Sequence, residues 1–203
     1  MGDLELRYLD AHELPAAAGV LARGMDDNPV HLACFGSGAR HRSAALARFF
    51  GAFLPLMAHP PLAVCRRRWP LAVLGMAPPG TCRPSAAQMA RMLVRTPPRG
   101  VHEAWRVAVW GRAWLRRDPR APHWHVGPLA VDAPLRGLGL GSRLMTELCA
   151  RMDREGAAAY LETDREGNVG FYRRFGFEIV DRAEVVGTPN WFMLRKPAAG
   201  SRP

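Results

Sequence analysis

The segment Arg136-Gly137-Leu138-Gly139-Leu140-Gly141-Ser142 places three glycines in a turn that runs straight into a helical pattern with Leu144, Met145, Leu148, Cys149 and Met152 on one face. A helix start of this kind aims several backbone N–H groups at one point, with the positive end of the helix dipole behind them, and such a point binds phosphate. Glycine suits the turn because any Cβ would hold a pyrophosphate away from those amides. Two other phosphate motifs are excluded: G-x-G-x-x-G would need glycine at Ser142 or at Leu144, and G-x-x-x-x-G-K-[ST] has no match. The same glycines also suit a turn that merely lets a helix pack close to a strand, so the segment alone leaves both readings open. The four cysteines, Cys34, Cys65, Cys82 and Cys149, are far apart and form no C-x-x-C. Reduced, functionally silent thiols and no bound metal are the expectation.

The elements that must hold this turn follow from local patterns. His125 to Val131 is an apolar strand leading into it, and Gly156 is placed to end the helix that leaves it. Ala157 to Glu162 reads as the next strand, Asn168 to Phe175 as a short helix stopped by Gly176, and Phe177 to Val185 and Trp191 to Arg195 as two closing strands. Upstream, Leu4 to Leu9 alternates as a first strand. Leu46, Phe49, Phe50, Phe53, Leu54 and Met57 mark one face of a helix that Pro55 ends or kinks. Pro61 to Val64 and Leu71 to Met76 read as a hairpin. A capping box from Ser85 to Gln88 starts a helix through Val94, and a further helix, stopping before Asp118-Pro119, carries Trp105, Trp110 and Trp114 into the core. The alternation predicts an α/β protein with α+β layering, one domain over residues 1–197 and a disordered tail over 198–203.

Composition sets the outer bounds. With 203 residues, 48% hydrophobic and 23% charged, the chain is an ordinary folded protein, neither disordered nor fibrous. The formal charge of +10 invites a polyanion partner, but of 28 basic residues only Lys196 is a lysine, and the arginines are scattered among many alanines, glycines and prolines. That is codon bias of a GC-rich genome, so neither nucleic acid nor membrane is expected as a partner. The N-terminal residues carry acids where a signal peptide needs cations, and the most apolar stretch, Leu46 to Val64, is broken by Arg48, Pro55 and His59. A cytoplasmic protein is the expectation.

Leu129-Ala130-Val131, then Arg136-Gly137-Leu138-Gly139-Leu140-Gly141, resembles the (Gln/Arg)-x-x-Gly-x-(Gly/Ala) acetyl-CoA motif of the GNAT acetyltransferases. Downstream, Leu161-Glu162-Thr163 and Asn168-Val169-Gly170-Phe171-Tyr172-Arg173-Arg174-Phe175-Gly176-Phe177 resemble the second motif of that superfamily. Asp26 to Val30, Ala47 to Phe50 and His123-Trp124-His125 further resemble the branch that contains puromycin N-acetyltransferase. The resemblance implies a GNAT fold: a mixed, mostly antiparallel sheet, flanked by helices and splayed between its fourth and fifth strands at an acetyl-CoA cleft. It also implies acetyl-CoA as co-substrate. The Leu129 and Val131 backbone, with Ala130 between them, would pair with the pantetheine arm, and the segment from Arg136 to Ser142, including Leu138 and Leu140, would hold the pyrophosphate. Where many members have a pantetheine-binding asparagine this chain has Arg165, so Asn168 either takes over part of that role or caps the short helix.

Acetyl transfer from a thioester to an amine requires alignment, loss of a proton from the amine and protonation of the departing thiolate. The resemblance makes Tyr172 the general acid; the competing reading is that Phe171, Tyr172 and Phe175 form a buried helix face. Glu162 and His125 are the candidate bases, or else a structural acceptor and a satisfied strand histidine. The implied activity is N-acetylation of a primary amine on a small molecule, a xenobiotic or antibiotic among them. The alternatives are acetylation of a protein N-terminus or lysine, and a non-catalytic acyl-CoA sensor. Asp26 and Asp27 would hold a cationic amine or cap a helix. The expected assembly is a monomer or homodimer.

Overall fold

A computed structural model describes residues 4–198. Seven strands form one sheet in the order β1-β2-β3-β4-β5-β7-β6. These are β1 Leu4–Tyr8, β2 Leu62–Arg66, β3 Trp69–Ala77, β4 Trp124–Val131, β5 Ala159–Thr163, β6 Glu178–Val185 and β7 Thr188–Arg195. All neighbours are antiparallel except β4 and β5. Helices α1 (Leu14–Gly24), α2 (Pro29–Phe35), α3 (Ala39–Phe53), α4 (Ala86–Arg95), α5 (Val101–Arg117), α6 (Leu140–Arg154) and α7 (Glu166–Arg173) complete the chain. The predicted layered α/β class is what the structure shows. Of the predicted tail, residues 199–203 lie outside the described residues, and the Ala198 N–H donates to Asp153 Oδ1 at 2.9 Å.

The pleat divides the core in two. Successive strand residues point to opposite faces, so Ala63, Cys65, Val73, Tyr160 and Phe192 pack with α1, α2, α3 and α5. Leu62, Val64, Leu74, Met76 and Leu161 pack with α6 and α7 on the other side. The predicted face of α6 is all buried, with Leu144, Met145 and Met152 at 0% exposure. The α5 expectation holds for two of its three tryptophans. Trp110 is buried and meets Trp114 edge-on one turn later, at 5.3 Å between ring centroids. Trp105 is 60% exposed, because nine residues at about 100° each put it half a turn away from Trp114.

One irregularity positions the site. Opposite Gly75 of β3, strand β4 carries two residues, Gly127 and Pro128, between the pairs Met76↔Val126 and Leu74↔Leu129. Two residues facing one is a β-bulge, which bends its strand and sharpens the local twist. A Cβ on Gly75 would lie 2.8 Å from both Gly127 O and Pro128 Cδ, so only glycine lets the bulge close. β4 pairs with β5 at Trp124↔Ala159 and His125↔Tyr160, and the pairing stops there. Beyond the bulge the two strands diverge, leaving an open wedge in the sheet.

Candidate active site in the wedge between strands β4 and β5

The wedge exposes backbone. The Asp132 N–H reaches Leu71 O at 2.9 Å and Ala130 pairs with Val73, both toward β3. Strand alternation therefore turns the N–H and C=O groups of Leu129 and Val131 the other way, into the wedge. At the end of β4, Gly139 sits at φ 77° as the residue before α6 and Gly137 at φ 82°, left-handed geometry that favours glycine. The earliest bond of that helix start is Arg143 N–H to Gly139 O, 3.0 Å. The N–H groups of Leu140, Gly141 and Ser142 consequently have no acceptor within the helix. A Cβ built at Gly137 or Gly139 meets nothing within 4 Å, so the space in front of the turn is open. Leu138, 65% exposed, turns its side chain to solvent.

A cavity of about 1330 Å³ runs from this turn across the wedge and under α3, α4 and α5. The backbone of Leu129 to Val131, the glycine turn, Asn168 and Tyr172 line one end, Phe49, Phe53, Met89 and Trp110 the other, and Glu162 and His125 are part of its wall. Glu162 lies near the end of β5, and its Oε2 is 3.0 Å from His125 Nε2. The other oxygen of Glu162, Oε1, is buried with no hydrogen-bond partner, as is Trp110 Nε1. The residues of the wall thus carry one unpartnered acceptor, Glu162 Oε1, and two unpartnered donors, Trp110 Nε1 and Arg165 Nε. The two candidate bases are therefore a pair, with the carboxylate held by the ring. Burial works against a charged His125, but the Glu162 carboxylate and a hydrogen bond to Asp118 outweigh it and raise the ring well above its ordinary value.

Tyr172, on α7, is buried and packs edge-on against Phe171 and Phe177. Burial first, and the Asp164 charge second, push its phenol upward. The hydroxyl therefore keeps its proton at neutral pH. Asn168 is inside α7, whose N-cap is Arg165, and its amide donates to Thr163 Oγ1 at 3.3 Å; the capping alternative is set aside.

The acids of the first helical region are taken. Arg42 donates to Asp26 Oδ2 at 2.8 Å and Ser43 to its Oδ1 at 2.9 Å. Arg136 reaches both Asp27 oxygens at 2.9 Å, and Arg165 adds a contact of 2.8 Å. Hydrogen bonding from Arg136, with Arg165 beside it, lowers Asp27 to about 2. Neither acid is open to a cationic acceptor, contrary to one sequence-based expectation. Arg165, in the place of the usual asparagine, closes this clamp, which ties the loop after α1 to the glycine turn and to the end of β5. The side chain of Arg136 likewise serves the clamp, donating also to Gly24 O at 2.7 Å.

Sequence reasoning missed Asp164, whose Oδ2 accepts from the Val30 N–H at 2.8 Å, and Asp118, Cys82 and His123 around His125. The Asp164–Val30 and Cys82–His123 contacts span 134 and 41 positions, which no local pattern signals, whereas Asp118 lies within five to seven positions of the two histidines, across the turn between α5 and β4.

Residues 88–177 match the family model described as acetyltransferase (GNAT) family. Solved structures with this fold include a Corynebacterium glutamicum protein described as histone acetyltransferase and related acetyltransferase, 19% identical, TM-score 0.73, covering 100% of both chains. A Drosophila melanogaster polyamine N-acetyltransferase is 16% identical, TM-score 0.61, over 96% of this chain and 100% of that one. A GNAT acetyltransferase from Brucella melitensis, solved in complex with acetyl-CoA, is 14% identical, TM-score 0.54, over 100% and 93%.

Proposed function

We propose that this chain, whose residues 88–177 match the GNAT acetyltransferase family, transfers the acetyl group of acetyl-CoA to the primary amine of a bulky, largely apolar small molecule. The observation that carries this reading is the single cavity that joins an open amide turn to an aromatic chamber, with the unpartnered Glu162 Oε1 in its wall. The residues present fit the co-substrate. The amides from Gly137 to Ser142 hold its pyrophosphate, and the wedge-facing backbone of Leu129 and Val131 pairs with its pantetheine as an added strand. Bound there, acetyl-CoA supplies a thioester already reactive toward a neutral amine.

The chain then has three tasks. Phe49, Phe53 and Trp110 surround the body of the acceptor and exclude water, aligning its amine. Glu162 takes the amine proton on Oε1, while the His125 N–H at Oε2 fixes the direction of the carboxylate. Tyr172 gives its phenolic proton to the departing sulfur and regains one from solvent.

The acceptor class follows from which acids are open. A linear polyamine needs several, yet Asp26 and Asp27 beside the cavity are held by Arg42 and by Arg136 with Arg165, and of the acids that line it Asp164 is held by Val30 with Asn28, Glu103 by His41 and Asp118 by His123 and His125. An aromatic or alicyclic amine needs one base and a dry chamber. Release of free CoA across a panel of amines, with mass spectrometry of the products, tests this. Arylalkyl amines are expected to be acetylated faster than spermidine or agmatine; preferential acetylation of the polyamines, or of a peptide N-terminus, would contradict the reading.

A further inference from the structure

We propose that Cys82, Asp118, His123 and His125 form a zinc site beside the cavity. They come from three places: the loop between β3 and α4, the end of α5, and the start of β4. One donor atom from each lies within 4.8 Å of all the others. Asp118 Oδ1 is 3.1 Å from His123 Nε2 and 3.4 Å from His125 Nδ1, and Cys82 Sγ is 3.9 Å from His123 Nε2. Tetrahedral zinc, with bonds of about 2.0 to 2.3 Å, sets its ligand atoms about 3.3 to 3.8 Å apart, close to what is found.

The far side of each ring makes the stronger argument. His123 Nδ1 meets Ala121 O at 2.8 Å, and His125 Nε2 meets Glu162 Oε2 at 3.0 Å. Metal-binding histidines are held in this way, one N–H donated outward to a carbonyl or carboxylate so that the other nitrogen's lone pair faces the metal. A Cys–His–Asp nucleophile is a poorer account. It needs the acid on the ring nitrogen opposite the thiol; at His123, Asp118 and Cys82 share Nε2, and at His125 the nitrogen opposite Glu162, Nδ1, faces Asp118 at 3.4 Å. A thiolate with two imidazoles selects zinc over magnesium or calcium. On binding, Cys82 loses its S–H proton and a protonated ring loses the proton of its metal-facing nitrogen, both to solvent, so that two neutral imidazoles, one thiolate and one carboxylate surround the ion and balance its two charges.

The site would anchor an element that packing does not. No residue of α4 is buried, although Met89, Met92 and Leu93 line the cavity. Zinc on Cys82 ties the approach to α4 to the end of α5 and to β4.

The test uses the untagged full chain, stripped with a chelator and titrated with zinc against a colorimetric competitor. One zinc per chain is expected, and Cys82→Ser and Asp118→Asn should each weaken it at least about tenfold. Cobalt in place of zinc should give a thiolate-to-metal charge-transfer band that Cys82→Ser abolishes. Zinc should also slow proteolysis between residues 78 and 100 in the unsubstituted chain. Failure of the unsubstituted chain to take up zinc, or zinc binding by both variants as tight as that of the unsubstituted chain, would overturn the site. The titration of the unsubstituted chain depends on no variant folding and on no acetyl transfer, so it separates this proposal from the catalytic one.

Discussion

Tyr172→Phe is expected to lower turnover about 10²- to 10⁴-fold, the range of a missing general acid, without abolishing activity. The thiolate of CoA departs slowly even unprotonated, which sets the floor. The ring is retained, so its contacts with Phe171 and Phe177 survive, and acetyl-CoA affinity should change little. A hydroxyl that served packing alone would instead cost about 1 kcal/mol of stability and leave turnover nearly intact. Melting temperature, acetyl-CoA affinity and turnover measured on one preparation separate the two; turnover within about threefold of the parent protein would remove Tyr172 from the mechanism.

Glu162→Gln should have an effect of similar size, about 10² to 10⁴ in turnover, for the complementary reason. The amide oxygen still accepts from His125 Nε2, so the strand pair and the ring position are kept, but a carboxamide takes no proton from an ammonium. Acetyl-CoA binding, which involves the other face of the wedge, should stay within about threefold. Loss of stability with undiminished turnover would make Glu162 a structural partner of His125 and leave the proton to water.

The part of this site that is covalently local was legible in the sequence. The strand from His125, the glycine turn and the buried face of α6 follow from a few consecutive residues, because strand, turn and helix patterns are set within about a dozen positions. Glu162 and His125 stood as alternative bases. Their contact, with Glu162 two residues past Tyr160, the last registered partner of β4, makes them one unit, which no spacing reveals. Asp26 and Asp27 looked open because their arginines lie from 16 to 138 residues away. The cluster around Cys82 was illegible for the same reason: its two histidine neighbours come from beyond α4 and α5. The outward turn of Trp105 was legible in the spacing and was misjudged by grouping tryptophans without their helical angle.

The most direct test of the central claim, that acetyl-CoA enters the wedge with its pyrophosphate on the amides before α6, is a calorimetric titration of acetyl-CoA into the protein and its Gly139→Asp variant. The account predicts one site per chain with a dissociation constant on the order of micromolar. In folded Gly139→Asp, the added carboxylate faces the phosphates and should weaken binding at least about tenfold. Equal affinity in the two proteins, or no binding by the unsubstituted chain, would contradict the account.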